Sequence, residues 1–260
     1  MHTRSLSFPT SVKDVKDAGC NGCRGDLEFD FTFAYQPIVD LKQQIIFAYE
    51  ALVRGINCEG AAEVLSRVND GNRYRFDQEC RKRSILLAKK LEMTARLSIN
   101  FLPNAVYEPE LCIRTTIEAA IEAKFPLDSI IFEVTEGEQV LEPEKLLSIF
   151  HYYRDRGFLT AIDDFGAGYA GLSLLTQFQP HLIKIDIQMV RNIDTNFVKQ
   201  AVVKGVLMTA ELLNIMVIAE GVKTAAEARW FKANGVYLMQ GYFFAKPGFE
   251  SLPEVHNWDV

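Results

Sequence analysis

Short apolar runs alternate with amphipathic segments along most of the chain. Apolar runs separated by segments with helical spacing are typical of parallel strands covered by helices. Near the beginning the pattern differs, because two strand-like segments follow one another with residues 40–42 between them, which predicts an antiparallel hairpin. The predicted strands are FTFAYQPIVD and QQIIFAYEALV in this hairpin, and then ARLSINF, SIIFEVT, FLTAIDD, HLIKID, IMVIAE and VYLMQGY.

The segments between these strands predict helices and, together with the strands, an α/β barrel. Helices are predicted at residues 61–70, 76–92, 110–124, 142–156, from about 170, at 196–213 and at 224–234. About eight strands in 260 residues favour a barrel over an open sheet, because an open doubly wound sheet concentrates its site at one crevice. Here nearly every predicted strand ends in a polar residue, and a barrel brings all these ends to one mouth.

Polar side chains with metal-binding or catalytic chemistry follow seven of the apolar runs. They are Glu50, Asn100, Glu133, Asp163 with Asp164, Lys184 with Asp186, Glu220 and Gln240. Carboxylates and an amide at one mouth are the oxygen ligands that hard divalent cations prefer. Two unit charges roughly 4 Å apart repel by about 4 kcal/mol at an effective dielectric near 20, so such a cluster requires protons or cations. Helix capping is an alternative for any single carboxylate, but it explains the whole set poorly.

Three of the polar residues have alternative roles that the sequence leaves open. Lys184 lies inside a strand and could hold the attacking water or a phosphate oxygen, or form a salt bridge to Asp163 or Glu50. Glu220 could be a general base or a further metal ligand. Arg54 suits bidentate phosphate binding but could equally be a surface arginine. Two divalent cations about 3.5–4 Å apart would activate water for attack on a phosphodiester, so we predict a metal-dependent hydrolase.

The composition restricts the partners and the compartment. Hydrophobic residues make up 48% and charged residues 24%, which is ordinary for a soluble domain. The net charge of −6 argues against binding of nucleic acid polymers, although metal ions can reverse the local sign of an acidic site. No apolar stretch approaches the ~20 residues of a membrane span, and the beginning of the chain lacks the apolar core of a signal peptide. We therefore expect a cytoplasmic protein without membrane insertion.

The first 28 residues differ from the rest of the chain. They are polar and without a clear period, which predicts a mobile leader or linker at 1–28 before a continuous globular domain at 29–260. Cys20 and Cys23 form a CxxC pair in this leader. Because a zinc site needs about four ligands, reduced thiols are favoured over zinc, and a redox role stays a hypothesis.

The segment DFGAGYAGLSLL, residues 164–175, is rich in glycine and opens a predicted helix. A phosphate-binding loop is one interpretation, but neither a GxGxxG nor a P-loop pattern is present. A hinged gate over the site is therefore the favoured interpretation.

Several of these segments resemble the EAL family, bacterial phosphodiesterases that linearise cyclic di-GMP to pGpG. The matching motifs are YEALVRG, INFLP, FEVTE, AIDDFGAGYAGLSLL, IKID, IAEGV and QGYFFAKP, in order over about residues 30–250. The stretches NRYRFDQECR and INFLPNAVY resemble EAL domains that are linked to blue-light-sensing flavin (BLUF) domains. The resemblance implies a modified TIM (β/α)8 barrel whose first strand is antiparallel.

The resemblance also implies roles for individual residues. The implied metal ligands are Glu50, Asn100, Glu133, Asp163 and Asp164, for two Mg²⁺ or Mn²⁺ ions, with Ca²⁺ inhibitory. Lys184 and Glu220 would act catalytically with Glu50, Lys184 by orienting the water and Glu220 as base or ligand. The implied nucleotide contacts or pocket residues are Gln36, Leu52, Arg54, Asp186 and Gln240. Glu136 would anchor the glycine loop, which implies a homodimer through the barrel mouth and loop region.

Two segments depart from the family pattern. Lys223 stands where the family usually has a second glutamate near the metal site, and INCEGAAE replaces the common HPxxG segment. Every implied direct ligand is present, so we predict an active enzyme that hydrolyses cyclic di-GMP to pGpG by in-line attack of a metal-activated water. The alternatives are a weak or inactive EAL domain that serves as a cyclic di-GMP receptor or protein-binding module, and a different metallohydrolase on the same barrel.

Overall fold

The computed structural model describes residues 27–106, 109–135, 143–168 and 171–260. The strands in these ranges are β1 (Phe31–Asp40), β2 (Ile45–Gly55), β3 (Arg96–Asn100), β4 (Ile130–Thr135), β5 (Leu159–Phe165), β6 (Leu182–Ile185), β7 (Met216–Ala219), β8 (Leu238–Gln240) and β9 (Gly248–Phe249). The helices are α1 (Ala61–Leu65), α2 (Arg73–Lys90), α3 (Pro109–Cys112), α4 (Arg114–Ala123), α5 (Pro143–Asp155), α6 (Gly171–Gln177), α7 (Ile187–Val190), α8 (Phe197–Leu212) and α9 (Ala225–Ala233).

The strands form a closed barrel in which one strand runs against its neighbours. Strands β2 to β8 pair in chain order, and every pair among them is parallel. Strand β1 closes the ring, because it pairs antiparallel with β2 along its length and with β8 through Ile38 and Gln240. The predicted α/β barrel and its antiparallel first strand are both confirmed.

Strand residues fill the interior of the barrel below the polar mouth. One apolar cluster is built from strand positions, and its members include Ile38, Ala48, Ile131, Ala161, Leu182 and Ile218. Because each of these comes from a different strand, they form packed layers inside the barrel rather than a pore. Two larger apolar clusters lie between the barrel and its covering helices. The polar strand ends are therefore supported from below and from outside by closely packed apolar side chains.

Several elements differ in detail from the predicted ones. Helix α1 ends at Leu65 rather than at residue 70, and the helix predicted at 110–124 is divided at Ile113 into α3 and α4. The four-residue helix α7 and the two-residue strand β9 are too short to produce a periodic signal. Strand β8 ends before Gly241, where a Cβ would lie 2.1 Å from the carbonyl oxygen of Val222. No helix in the described ranges is long and apolar enough to span a membrane.

Candidate active site

A fully buried lysine lies among the carboxylates at the mouth of the barrel. The Nζ atom of Lys184, on β6, lies 2.7 Å from a carboxylate oxygen of Glu133 and 2.7 Å from one of Glu220. It also lies 3.1 Å from Asp163 and 3.5 Å from Glu50. The four carboxylates come from β2, β4, β5 and the residue after β7. The predicted convergence of strand ends at one mouth therefore holds for these residues.

The pairing of the strands explains why these side chains meet. Parallel strands in a barrel end at the same edge, so their last residues lie at similar heights. Asn100, the last residue of β3, is paired with Glu133 on β4. On the antiparallel side, Gln36 of β1 is paired with Glu50 of β2. The amide of Asn100 donates a hydrogen bond of 3.0 Å to Glu50 and so joins the same cluster.

Two groups of carboxylates in the cluster are arranged closely enough to hold a cation each. The first consists of Glu50, Glu133 and Asp163, and the second of Asp163, Asp164 and Glu220. Within each group, one oxygen from every member lies within 4.8 Å of the others. Asp163 belongs to both groups, so its carboxylate can bridge two neighbouring cation positions. All donors are oxygen atoms, which suits Mg²⁺, Mn²⁺ or Ca²⁺ better than soft metals.

The backbone at Asp164 has an unusual conformation for a residue with a side chain. Its φ of 53° lies in the left-handed region, which costs of order 1–3 kcal/mol and is often found at functional sites. The N–H of Asp164 donates a 2.9 Å hydrogen bond to the carboxylate of Asp163. Burial and the neighbouring Asp163 and Asp186 carboxylates raise the pKa of Asp164 to about 6. The turn therefore brings two consecutive carboxylates into one acidic cluster.

Burial and mutual repulsion control the protonation of the cluster. Burial is the main reason why the pKa of Glu133 is raised, and repulsion from Glu50 and Asp163 adds to it. The pKa of Glu220 is raised well above its ordinary value for the same reasons. Burial alone would lower the pKa of Lys184, but the surrounding carboxylates raise it well above its ordinary value. Lys184 is therefore a permanent cation that offsets only part of the negative charge.

Uncharged side chains orient the carboxylates. Gln240 donates a 2.8 Å hydrogen bond to the same oxygen of Glu50 that lies 3.5 Å from Lys184. Ser98 donates a 2.5 Å hydrogen bond to Glu133 from inside β3. Ser98 was not predicted from the sequence, although its position two residues before Asn100 puts both on the same face of the strand. The Oε1 atom of Gln240 is buried and has no hydrogen-bond partner among the described residues.

A cavity of about 390 Å³ opens beside the carboxylate cluster. It is lined by Gln36, Glu50, Ile187, Glu220, Gly221, Lys223, Gln240, Gly241 and Tyr242. The predicted pocket residues Gln36 and Gln240 thus lie at the cavity together with Glu50 and Glu220. Lys223, the residue that departs from the family pattern, is exposed and contributes a cation to the cavity wall. Tyr242 and Ile187 were not predicted, because apolar and aromatic side chains next to strand ends carry no distinctive signal.

The other predicted contact residues are not among those that line this cavity. Leu52 and Arg54 lie in the second half of β2 and are half-buried, and the guanidinium of Arg54 bonds the carbonyl of Val53 at 2.7 Å. Asp186 is buried and caps α7 through the N–H of Gln188. Among the described residues, no hydrogen bond or ion pair joins Arg54 to a member of the carboxylate cluster. Glu136, the predicted loop anchor, lies outside the described residues, as do Cys20 and Cys23.

Comparison with protein-family models and with known proteins shows which proteins the chain is similar to. The model described as EAL domain matches residues 12–247. Among curated proteins, the blue light- and temperature-regulated antirepressor BluF of Escherichia coli is 31% identical over 246 residues, which cover 94% of this chain and 61% of BluF. The probable cyclic di-GMP phosphodiesterase PdeN of E. coli is 29% identical, over 84% of this chain and 43% of PdeN. The chain therefore spans less than two thirds of the length of these relatives.

Solved structures resemble the chain over most of its length. A standalone versatile EAL protein from Vibrio cholerae O395, in a cyclic di-GMP-bound form, is 56% identical with a TM-score of 0.87, covering 89% of this chain and 98% of that chain. BlrP1 of Klebsiella pneumoniae, in a complex with manganese and cyclic di-GMP, is 36% identical with a TM-score of 0.82, covering 86% of this chain and 58% of BlrP1. These similarities confirm the resemblance and the barrel fold that the sequence motifs predict.

Proposed function

Because the chain belongs to the EAL domain family, we propose that it is a divalent-cation-dependent phosphodiesterase that hydrolyses cyclic di-GMP to linear pGpG. The observation that carries this proposal is the position of Asp163 in two adjacent carboxylate groups around Lys184. The name of PdeN and the cyclic di-GMP in the V. cholerae and BlrP1 structures support the choice of substrate. The cavity beside the cluster provides room for part of such a substrate.

The described residues fit two divalent cations. Glu50, Asn100, Glu133 and Asp163 would hold one cation, and Asp163, Asp164 and Glu220 the other. A pair of bound cations supplies Lewis-acid stabilisation of phosphate oxygens and lowers the pKa of water. We assign Mg²⁺ or Mn²⁺ to the active enzyme. Ca²⁺ is larger and tolerates irregular coordination, so we expect it to bind the same oxygens and to inhibit.

The residues of this chain have distinct tasks in the proposed reaction. The ammonium of Lys184 orients the attacking water, whose oxygen forms the new bond to phosphorus while the bond to the 3′ oxygen breaks. Glu220 accepts the proton of the water, or serves as a ligand of the second cation. Glu50 joins the catalytic group as a cation ligand. The leaving 3′ oxygen takes a proton from solvent, and the product keeps its phosphate on the 5′ side.

We assign the nucleotide to the cavity and its rim. Gln36, Leu52, Arg54, Asp186 and Gln240 are the proposed contacts or pocket-forming residues. Of these, Gln240 combines a bond to Glu50 with a buried carbonyl oxygen that has no partner among the described residues, so it has an acceptor available for an N–H of the ligand. Glu136 remains the proposed anchor of the glycine loop.

We further propose a homodimer through the barrel mouth and loop region, with a contact that continues along α8. Helix α8 exposes large apolar side chains to solvent, and contiguous patches of this kind mark interaction surfaces. Their exposed fractions are 79% for Phe197, 69% for Val198, 51% for Val202, 65% for Met208 and 81% for Leu212. An apolar groove of about 320 Å³ joins this helix to Phe165 and Gly166. A second copy of the chain, with the same apolar face, is the proposed partner.

The oligomeric state tests this interface. We expect the wild-type chain to sediment as a dimer and Val202→Glu to sediment as a monomer, because the substitution buries a charge at the centre of the contact. Lys89→Glu, at an exposed position near the end of α2, is the matched control and should stay dimeric. A monomeric wild type would contradict the dimer.

We also propose the extent of the domain, its compartment and its small-molecule partner. We place the functional domain at residues 29–260 and the chain in the cytoplasm, with cyclic di-GMP as its small-molecule partner. Neither a nucleic acid polymer nor a membrane is required by the proposed reaction.

Chromatography of reaction products tests the proposed activity. Purified chain is incubated with cyclic di-GMP and Mg²⁺, Mn²⁺, Ca²⁺ or EDTA. We expect pGpG with Mg²⁺ or Mn²⁺, none with EDTA, and inhibition when Ca²⁺ is added to Mn²⁺. Tight binding of cyclic di-GMP without product under any condition would contradict the enzymatic proposal and point to a receptor.

A further inference from the structure

A buried carboxylate that the proposed reaction does not use connects the two loops that follow β6 and β7. Glu227, in the first turn of α9, is only 1% exposed. One of its oxygens accepts the N–H of Asn192 at 3.0 Å. The other accepts the N–H groups of Lys223 at 2.8 Å and Thr224 at 3.1 Å. Asn192 follows α7 in the connection from β6 to α8, and the other two belong to the loop after β7, so one side chain holds both connections.

Arg191 completes this connection from the other side. Its Nη1 atom lies 3.3 and 3.4 Å from the two carboxylate oxygens of Glu227, and its Nη2 atom donates a 2.9 Å hydrogen bond to the carbonyl of Gly221. We call this unit the Arg191–Glu227 clasp, formed by the two side chains together with the backbone groups of Gly221, Asn192, Lys223 and Thr224 that they bind.

The clasp begins one residue after Glu220. Gly221 adopts a φ of +64°, and a Cβ at this position would lie 2.3 Å from the side chain of Ile187. The backbone next to Glu220 is therefore pressed against α7 and fixed by Arg191. Lys184, the partner of Glu220, lies on β6, and the chain segment after β6 leads through α7 to Arg191. The clasp thus links the two chain segments that bring Glu220 and Lys184 to 2.7 Å from one another.

We propose that the Arg191–Glu227 clasp sets the distance and orientation of Glu220 relative to Lys184. Arg191 and Glu227 would then be positioning residues for the phosphodiester hydrolysis proposed above, on which this inference rests. Displacement of a reacting group by about 1 Å can lower the rate roughly 100-fold. A loop that holds Glu220 in place would therefore maintain the rate of hydrolysis.

A helix cap alone does not account for these contacts. Glu227 and Thr224 do form a reciprocal capping box, in which the hydroxyl of Thr224 accepts the N–H of Glu227 at 3.2 Å. The box includes neither the bonds to Arg191 and Asn192 nor the bond from Arg191 to Gly221. The additional contacts reach across to another loop, which a local cap does not need to do.

The clasp requires a carboxylate rather than an amide. The two oxygens of Glu227 accept three backbone N–H groups and face one guanidinium, whereas a glutamine would turn an NH₂ group toward one set of donors. Burial acts to raise the pKa of Glu227, but the backbone N–H groups and Arg191 lower it below its ordinary value. Glu227→Gln is therefore close in shape to the native residue and specifically removes part of the clasp.

Kinetic measurements on matched variants test the inference. We expect Glu227→Gln and Arg191→Ala to lower kcat roughly 10- to 100-fold while KM for cyclic di-GMP changes less than about threefold. Arg191→Lys keeps the charge but loses the planar guanidinium that binds Glu227 and Gly221 together, so its kcat should lie between those of Arg191→Ala and wild type. The double variant should be no slower than the slower single variant, because both substitutions break the same unit.

Two controls separate positioning from general destabilisation. Thr224→Ala removes the hydroxyl of the cap and should lower the unfolding temperature while kcat stays within about twofold. Glu63→Gln breaks an exposed pair with Arg67 on α1 and should change neither quantity. A kcat for Thr224→Ala as low as that for Glu227→Gln would overturn the inference, because the cap alone would then explain the effect.

A readout without turnover distinguishes failure of the clasp from failure of the proposed function. Mn²⁺ binding is measured by calorimetry in each variant, and we expect several-fold weaker binding in Glu227→Gln and Arg191→Ala because Glu220 belongs to the second carboxylate group. An inactive wild type with this pattern of Mn²⁺ affinities would contradict the phosphodiesterase and support the clasp. Unchanged Mn²⁺ affinity and unchanged kcat in both variants would overturn the clasp alone.

Discussion

The ammonium of Lys184 lies 2.7 Å from a carboxylate oxygen of Glu133, and neither side chain is exposed to solvent. Removing two charges from water is costly, and such pairs persist when further contacts compensate for the lost hydration. Here Ser98 donates to Glu133 from one side, and Lys184 contacts three more carboxylates. The pair therefore lies at the centre of an acidic cluster, where it reduces the repulsion between the other members.

Replacement of this lysine separates its catalytic role from its electrostatic one. Lys184→Met removes the cation and leaves the surrounding carboxylates in place. We expect kcat to fall at least 100-fold, because the water is no longer oriented. Because the cluster becomes more negative, its affinity for Mn²⁺ should be unchanged or higher. Steady-state kinetics and Mn²⁺ calorimetry check these two effects.

The opposite result for the metal would change the interpretation of Lys184. If Lys184→Met bound Mn²⁺ much more weakly while remaining folded, the lysine would be a structural support of the carboxylates. Circular dichroism of each variant controls for folding.

The exposed Lys223 offers a second electrostatic test. It lines the cavity where the EAL pattern usually has a glutamate. Lys223→Glu changes the local charge by two units toward negative, so we expect tighter binding of Mg²⁺ or Mn²⁺ and a higher rate at limiting metal. The measurement is the rate as a function of Mg²⁺ concentration, with Lys223→Gln as the neutral intermediate. An identical metal dependence in all three proteins would show that position 223 is peripheral.

A second buried ion pair, formed within α2 by Arg81 and Asp77, stabilises the fold. Arg81 donates a 2.5 Å bond to Asp77, both side chains are at most 1% exposed, and Asp77 also accepts the N–H of Leu102. Asp77→Ala leaves the guanidinium of Arg81 buried without its carboxylate partner, although Tyr153 still contacts it. We expect the free energy of unfolding to fall by about 3–5 kcal/mol.

Urea unfolding measures this loss, and an exposed pair provides the comparison. Glu63→Ala breaks the pair with Arg67, whose side chains are 57% and 42% exposed, so its effect should stay below about 1 kcal/mol. An equal decrease in the free energy of unfolding of the two variants would mean that burial of the Asp77–Arg81 pair does not increase its contribution to stability.

The lowered pKa of Glu227 predicts how stability depends on pH. Despite burial, its backbone N–H donors and Arg191 hold the pKa below the ordinary value of 4.5. The unfolded chain therefore binds this proton at a higher pH than the folded chain, so the stabilisation is complete above the unfolded pKa and is lost as pH falls through the folded pKa. We expect the free energy of unfolding of Glu227→Gln to differ from that of wild type by a constant amount between pH 6 and 8. Below about pH 4.5 this difference should be smaller. Urea titrations across this range check it, and a gap that widens in acid would contradict the assignment.

The sequence predicted the barrel and most of the carboxylate cluster because both depend on local signals. Apolar runs that end in Glu50, Glu133 or Asp163 mark strand ends, and barrel geometry makes strand ends converge. The first strand could be identified as antiparallel because its hairpin connection is short. The closure of β1 against β8, by contrast, joins residues about two hundred positions apart and has no local signal.

The supporting contacts could not be predicted for related reasons. Ser98 reads as an ordinary strand residue until its bond to Glu133 is seen. Glu227 has the sequence features of a helix cap, and its bonds to Asn192 and Arg191 depend on the spatial arrangement of two loops. The role of Arg54 as a phosphate contact stays a prediction, since its described bond is to the neighbouring carbonyl of Val53.

We propose that this chain hydrolyses cyclic di-GMP through Asp163, the carboxylate that both groups share. Asp163→Asn keeps the size of the side chain but removes its charge, so it should disable both proposed cation positions at once. The decisive measurement compares pGpG formation by wild type and Asp163→Asn at saturating Mn²⁺. We predict product from wild type and at least a 1,000-fold lower rate from the variant, on the order of the loss of a principal catalytic group. A rate within about tenfold of wild type would contradict the proposed role of Asp163 in hydrolysis.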